Sequence, residues 1–191
     1  MNLPNVLTLF RILAAFVFLY YALCGDWAVA FPIFCAAAFT DLVDGSIARL
    51  LSQRTRLGAF LDPMADKLLM LFGFLTLTLS HYVPLFLTIL IIGRDLMIVL
   101  GLLFLKLKKV PLVYKPTYLS KCTTLFQILT VFSALFLTRG VPYLEKTASG
   151  HFFLEALPSL MIMTAILTVT TAIQYSFIGW RMLHAKTQNY C

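Results

Sequence analysis

An all-α integral membrane protein, with six transmembrane helices and a polar cleft opening to the cytoplasm, is the fold that this sequence predicts. Three observations lead there. Of the 191 residues, 61% are apolar and only 12% are charged, whereas a soluble domain is about half apolar. The apolar residues gather into six stretches, each close to the ~20 residues that a bilayer-spanning helix needs. Four aspartates break into the second and third stretches, and an aspartate at the centre of a membrane helix costs roughly 2.5 to 3.5 kcal/mol.

The first stretch, 6–24, follows a polar Asn2-Leu3-Pro4-Asn5 and carries Arg11. With no small-residue cleavage site behind it, it reads as a retained span and not as a signal peptide. The second, 27–49, contains Asp41 and Asp44, and the third, 59–80, opens on Asp62 and Asp66. Gly93-Arg94-Asp95 interrupts the fourth, 84–105, and an ionisable pair inside a membrane is a functional candidate by default. The fifth, 118–138, begins near Lys121, and the sixth is 156–180. No linker, low-complexity tract or fixed-period repeat divides the chain, so residues 1–191 are expected to form a single membrane domain.

Orientation follows the basic residues. Arg49, Arg54 and Arg56 lie after the second stretch, Lys106, Lys108, Lys109, Lys115 and Lys121 after the fourth, and Arg181 and Lys186 after the sixth. The other side holds Arg139 and Lys146. Both termini are therefore expected in the cytoplasm, and a bacterial inner membrane is the expected location. The net charge of +7 is accounted for by topology and by attraction to anionic membrane lipids, and no nucleic acid partner is expected. Cys24, Cys35, Cys122 and Cys191 show no paired spacing and read as small core residues, with neither disulfides nor zinc indicated. His81, His151 and His184 fall near span ends, where they read as solvated.

Asp41, Asp44, Gly45 and Ala48 recur at i, i+3, i+4 and i+7, the spacing of one helical face. Gly58, Asp62 and Asp66 recur at i, i+4 and i+8. Two antiparallel helices so patterned are able to aim four carboxylates at one another. Carboxylate oxygens suit hard divalent ions, and magnesium commonly bridges carboxylates and substrate phosphates. The small residues leave room for a ligand against the backbone, and Arg49, one turn from Gly45, is within reach of a phosphate oxygen. Asp62 before Pro63 also fits an ordinary helix cap, and Asp66-Lys67 a solvated helix end. Neither alternative accounts for Asp41 and Asp44.

The full spacing, D-x-x-D-G-x-x-A-R, eight residues, G, three, D, three, D, is met at Asp41, Asp44, Gly45, Ala48, Arg49, Gly58, Asp62 and Asp66. It resembles the signature of the CDP-alcohol phosphatidyltransferases at all eight fixed positions, and the six-span layout extends the likeness over most of the chain. The resemblance implies that Asp41, Asp44, Asp62 and Asp66 hold two magnesium ions, with manganese able to substitute. Those ions would grip the diphosphate of CDP-diacylglycerol against Gly45, Ala48, Arg49 and Gly58. It implies further that Asp66 is the catalytic base and that the enzyme is a homodimer.

Arg94, Lys121 and Lys115 suggest an anionic glycerol-type acceptor, because arginine recognises phosphate bidentately and lysine adds a point charge. The Asn2-Leu3-Pro4-Asn5 start with Thr8 and Arg11, the run Leu61 to Lys67, and the Arg94 and Lys121 neighbourhoods resemble phosphatidylglycerophosphate synthases and CMP-forming cardiolipin synthases. The former often carry Ala-Arg-Glu where this chain has Gly93-Arg94-Asp95, and a second lysine at the place of Thr123. With Lys-Pro-Thr at 115–117 and Ser120-Lys121, this stretch resembles the cardiolipin branch somewhat more closely. Glycerol 3-phosphate is the expected acceptor and phosphatidylglycerol the alternative. A small ion-coupled transporter or channel would also use intramembrane acids, but such proteins place them near mid-membrane in broken helices.

Overall fold

The structure, a computed structural model, describes residues 3–51, 56–108, 117–144 and 148–188. Side chains are described at 8–40, 64–105, 107–108, 117–138 and 152–182. Six helices account for these residues: α1 (Leu3–Leu23), α2 (Trp27–Leu51), α3 (Arg56–Leu79), α4 (Leu85–Leu107), α5 (Tyr118–Leu144) and α6 (Ala148–Gln188). They fall one to one on the six apolar stretches. Three of them, over Leu85–Leu105, Tyr118–Thr138 and Phe152–Met182, are long and apolar enough within the described residues to cross a bilayer. The chain is a membrane protein.

The apolar stretches do not mark the full extent of the helices. The sixth stretch was expected at 156–180, yet α6 has 41 residues, roughly 60 Å at 1.5 Å per residue and twice the hydrocarbon thickness. Helical hydrogen bonding persists where apolar composition ends. Likewise α4 runs unbroken through Gly93-Arg94-Asp95, so this triplet interrupts the hydropathy and not the helix.

Two compact units are distinguished, residues 1–83 with 131–153, and residues 84–130 with 154–191. In the first, α1 packs against both α2 and α3. Phe18 meets Phe34 across α1 and α2 at 5.5 Å between ring centroids, and Phe16 meets Phe72 across α1 and α3 at 5.3 Å. Ala15, Ala30, Ala37 and Ala65 are fully buried and let the backbones approach. Gly73 has the same use, since a Cβ there would lie 3.0 Å from Val131 Cγ1.

Short connections close this unit. After α1, the Asp26 N–H donates to the Tyr21 carbonyl and the Gly25 N–H to that of Ala22, with Gly25 at φ +79°. This is the glycine-terminated helix end that leaves few carbonyls unpaired. The Asp26 carboxylate then accepts from the Val29 N–H and caps α2. After α3, the Tyr82 N–H donates to the Leu77 carbonyl and that of His81 to Thr78, but here His81 takes the left-handed position at φ +63°. A Cβ is disfavoured in that region.

The second unit is held by a polar seam. Thr123 and Thr171 share a hydrogen bond of 2.6 Å, and Thr130 and Thr164 one of 2.9 Å, which sets α5 antiparallel to α6. Gln127 and Thr168 are buried on the same faces. The hydroxyls of Thr123, Thr130, Thr168 and Thr171 also lie within hydrogen-bond distance of the carbonyl four residues earlier. Each has one proton, so in the Thr123–Thr171 pair one hydroxyl donates across the helices while the other donates to its own helix and accepts. Meanwhile Leu85, Phe86, Ile89, Leu96, Leu100, Leu103 and Leu107 of α4 are exposed. Apolar outside and hydroxyl inside is the arrangement that hydrocarbon solvent favours. The described cysteines correct an expectation, because Cys24 and Cys122 are exposed and Cys35 is half-buried. A thiol is apolar enough to face lipid.

Replacing His81 by glycine is expected to stabilise the α3–α4 connection by about 1 kcal/mol through relief of the left-handed backbone. The midpoint of thermal unfolding in detergent measures it, and an unchanged or lower midpoint contradicts the account.

Candidate active site

Of the four predicted acidic ligands, Asp66 is within the described side chains. It sits on α3 and is held by Arg11 of α1: Nη1 of the guanidinium donates to Oδ1 at 2.8 Å. Burial is unequal, 1% of Arg11 being exposed against 43% of Asp66. The arginine is thus locked in the unit's interior, where a charge needs a counter-charge, and the carboxylate reaches from that anchor toward an accessible surface. Thr8, one helical turn before Arg11, is buried as well.

Sequence reasoning singled out Asp66 but gave Arg11 no role in the site. The signal was present, since an arginine in the middle of an apolar span has to find an acid. Asp41, Asp44, Gly45, Ala48 and Arg49 fall on α2, and Gly58 and Asp62 on α3, so the helical period assumed for them holds for the backbone. Their side chains lie outside the described residues, as does Lys115 altogether.

Arg94 of α4, in the second unit, is 8% exposed and firmly tied. Its Nη1 donates to Asp95 Oδ1 at 2.7 Å and its Nη2 to Ser120 Oγ at 2.9 Å, and its guanidinium carbon lies 5.8 Å from the centroid of the Tyr175 ring. Nε is buried with no hydrogen-bond partner among the described residues. Lys121 follows Ser120 directly in the first turn of α5. It is exposed, with its ammonium 5.8 Å above the Tyr118 ring. Of the three predicted acceptor cations, the two that are described are therefore linked through adjacent residues, one buried and fixed, the other exposed.

Thr123, the place where a second lysine was weighed, is fully buried against Thr171. Tyr175 also lines an apolar cavity of about 290 Å³ between α4 and α6, together with Met97, Gly101, Leu105, Gly179 and Met182. Among the described residues, no charged group lines that cavity. Ser120 and Tyr175 were not anticipated from the sequence, because their importance arises from which residue they meet.

The chain is similar to several known proteins. Human cardiolipin synthase (CMP-forming) is 32% identical over 194 residues, covering 93% of this chain and 62% of the human protein. The chain thus spans about three fifths of that relative's length. The CDP-diacylglycerol–glycerol-3-phosphate 3-phosphatidyltransferase of Aquifex aeolicus is 32% identical over 188 residues, 96% of this chain and 98% of that protein. The protein of the same name from Escherichia coli K12 is 49% identical over 84 residues, 42% of this chain and 46% of the relative. A family model for CDP-alcohol phosphatidyltransferases matches residues 1–173, from α1 well into α6 and across every aspartate of the motif. The chain belongs to the CDP-alcohol phosphatidyltransferase family.

Proposed function

We propose that this protein transfers a phosphatidyl group from CDP-diacylglycerol to the hydroxyl of glycerol 3-phosphate, releasing CMP and forming phosphatidylglycerophosphate. The carrying observation is the Arg11–Asp66 pair, which presents the last acid of the family's motif from a buried anchor at a partly exposed position. A relative of matching length supports the substrate reading through the activity in its name.

The oxygen-only donor set of Asp41, Asp44, Asp62 and Asp66 fits magnesium, and the partial exposure of Asp66 leaves it accessible to an ion. Bound there, two magnesium ions would offset the diphosphate's charge and help CMP depart. In the transfer step the acceptor hydroxyl oxygen attacks the phosphorus that bears diacylglycerol. The new P–O bond forms as the bond to the CMP oxygen breaks, and the hydroxyl proton passes to the Asp66 carboxylate. Arg11 keeps that carboxylate oriented. Gly45, Ala48, Arg49 and Gly58 would receive the nucleotide and diphosphate, and Arg94, Lys121 and Lys115 the acceptor phosphate.

Phosphatidylglycerol is the second acceptor reading. Asp95 already offsets the charge of Arg94, and Thr123 contributes none, which suits the single charge of a phosphodiester. A cardiolipin synthase matching 93% of the chain supports it too. In either case residues 1–191 form one catalytic membrane domain. All six helices cross a bacterial inner membrane, the cleft and both termini face the cytoplasm, and the active species is a homodimer.

Radiolabelled CDP-diacylglycerol, offered with glycerol 3-phosphate or phosphatidylglycerol, should release CMP in magnesium and none in EDTA. Release that survives chelation, or none with any acceptor, removes the proposal. Asp66→Asn should lower turnover about 100-fold or more while CDP-diacylglycerol binding persists, the scale of a lost general base; near-normal turnover would contradict that role. Arg11→Gln should raise the magnesium concentration for half-maximal activity roughly 10- to 100-fold, as expected for a group orienting a ligand. An unaltered magnesium dependence would separate Arg11 from the metal site.

A further inference from the structure

Arg94 does not hold its position alone. Its Nη2 rests on Ser120 Oγ, and Ser120 is the third residue of α5. The backbone N–H of Ser120 donates in turn to Thr117 Oγ1 at 3.3 Å, so Thr117 is the cap of the helix. The Thr117 hydroxyl donates onward to Gln174 Oε1 of α6 at 3.2 Å. Gln174 adjoins Tyr175, whose ring faces the same guanidinium.

These contacts make a closed circuit of α4, α5 and α6 around one cation. The geometry does more than satisfy buried polar groups. A circuit built only to neutralise Arg94 would use all its donors, yet Nε is buried and unpaired among the described residues. Leaving such a donor unpaired costs about 1 to 3 kcal/mol, a cost usually met at functional positions. The cation is fixed in place with hydrogen-bonding capacity in reserve.

We propose that the first turn of α5 is a positioning device, in which Gln174 and Thr117 fix Ser120, and Ser120 fixes Arg94 to receive an oxygen of a glycerol-phosphate group. It rests on the phosphatidyl-transfer reading and adds Ser120, Thr117 and Gln174 to the acceptor side as positioning residues. Lys121, one residue on, is carried by the same turn, so both cations are set by one cap. The recognised chemistry is the glycerol phosphate, whether free in glycerol 3-phosphate or esterified in a lipid headgroup.

The test uses the full chain in lipid nanodiscs and measures KM for donor and acceptor separately, with glycerol 3-phosphate in one arm and phosphatidylglycerol in the other. Ser120→Ala should raise the acceptor KM about tenfold, the scale for losing a hydrogen bond to a charged group, with less than about a twofold change in the CDP-diacylglycerol KM. Ser120→Thr, which restores a hydroxyl, should recover most of the loss. Gln174→Leu, which leaves Ser120 intact and loosens the cap, should shift the acceptor KM in the same direction by a smaller factor. The arm in which the effect appears identifies the source of the phosphate.

Unchanged acceptor KM in both arms overturns the proposal. So does a parallel rise in both KM values with a lowered unfolding midpoint, the mark of a purely structural serine. A wild-type protein that releases no CMP with either acceptor overturns the activity itself, and this proposal falls with it.

Discussion

A guanidinium in hydrocarbon has to be met by oxygen, and that requirement organises both units of this protein. Arg11 meets Asp66, and Arg94 meets Asp95 and Ser120. Both arginines are buried, and each is tied to a second helix or to its own neighbour. The threonine seam between α5 and α6 follows the same rule with weaker groups, each hydroxyl pairing across the helices where a soluble protein would place leucines.

This constraint also separates binding from stability in an instructive manner. Asp66 is nearly half exposed while its partner is sealed, so the pair is anchored at one end and chemically accessible at the other. Arg94 is the reverse, a sealed cation whose contacts consume some donors and leave Nε over. Both clusters are fixed by the residues around them. In the reaction proposed here, the first cluster handles the proton and the diphosphate metals, and the second handles the acceptor phosphate.

Much of this was legible in the chain. Six apolar stretches became six helices, Asp66 stood out through the spacing of the acidic motif, and Arg94 because it is ionisable within an apolar run. Their partners were harder to read. Arg11 was visible as an oddity of the first span, but 55 residues separate it from Asp66, and no local period links them. Ser120, Thr117 and Gln174 have no structural partner legible in the sequence, since a hydroxyl or amide is unremarkable in a chain and is made important only by the cation beside it. The limits of α6 were missed for another reason, because hydropathy reports the solvent and not the hydrogen bonding of the backbone.

Sequence by itself determined the class of molecule, its all-helical build and the spacing of the acidic motif, since hydrocarbon admits few backbone solutions and a catalytic motif is a local pattern on a helix. Tertiary structure decided which helix supplies the counter-charge for Asp66, and which hydroxyl steadies Arg94. Those choices depend on the approach of segments far apart in the chain, where small residues such as Ala15 and Ala65 allow close packing and each buried charge selects its partner by proximity.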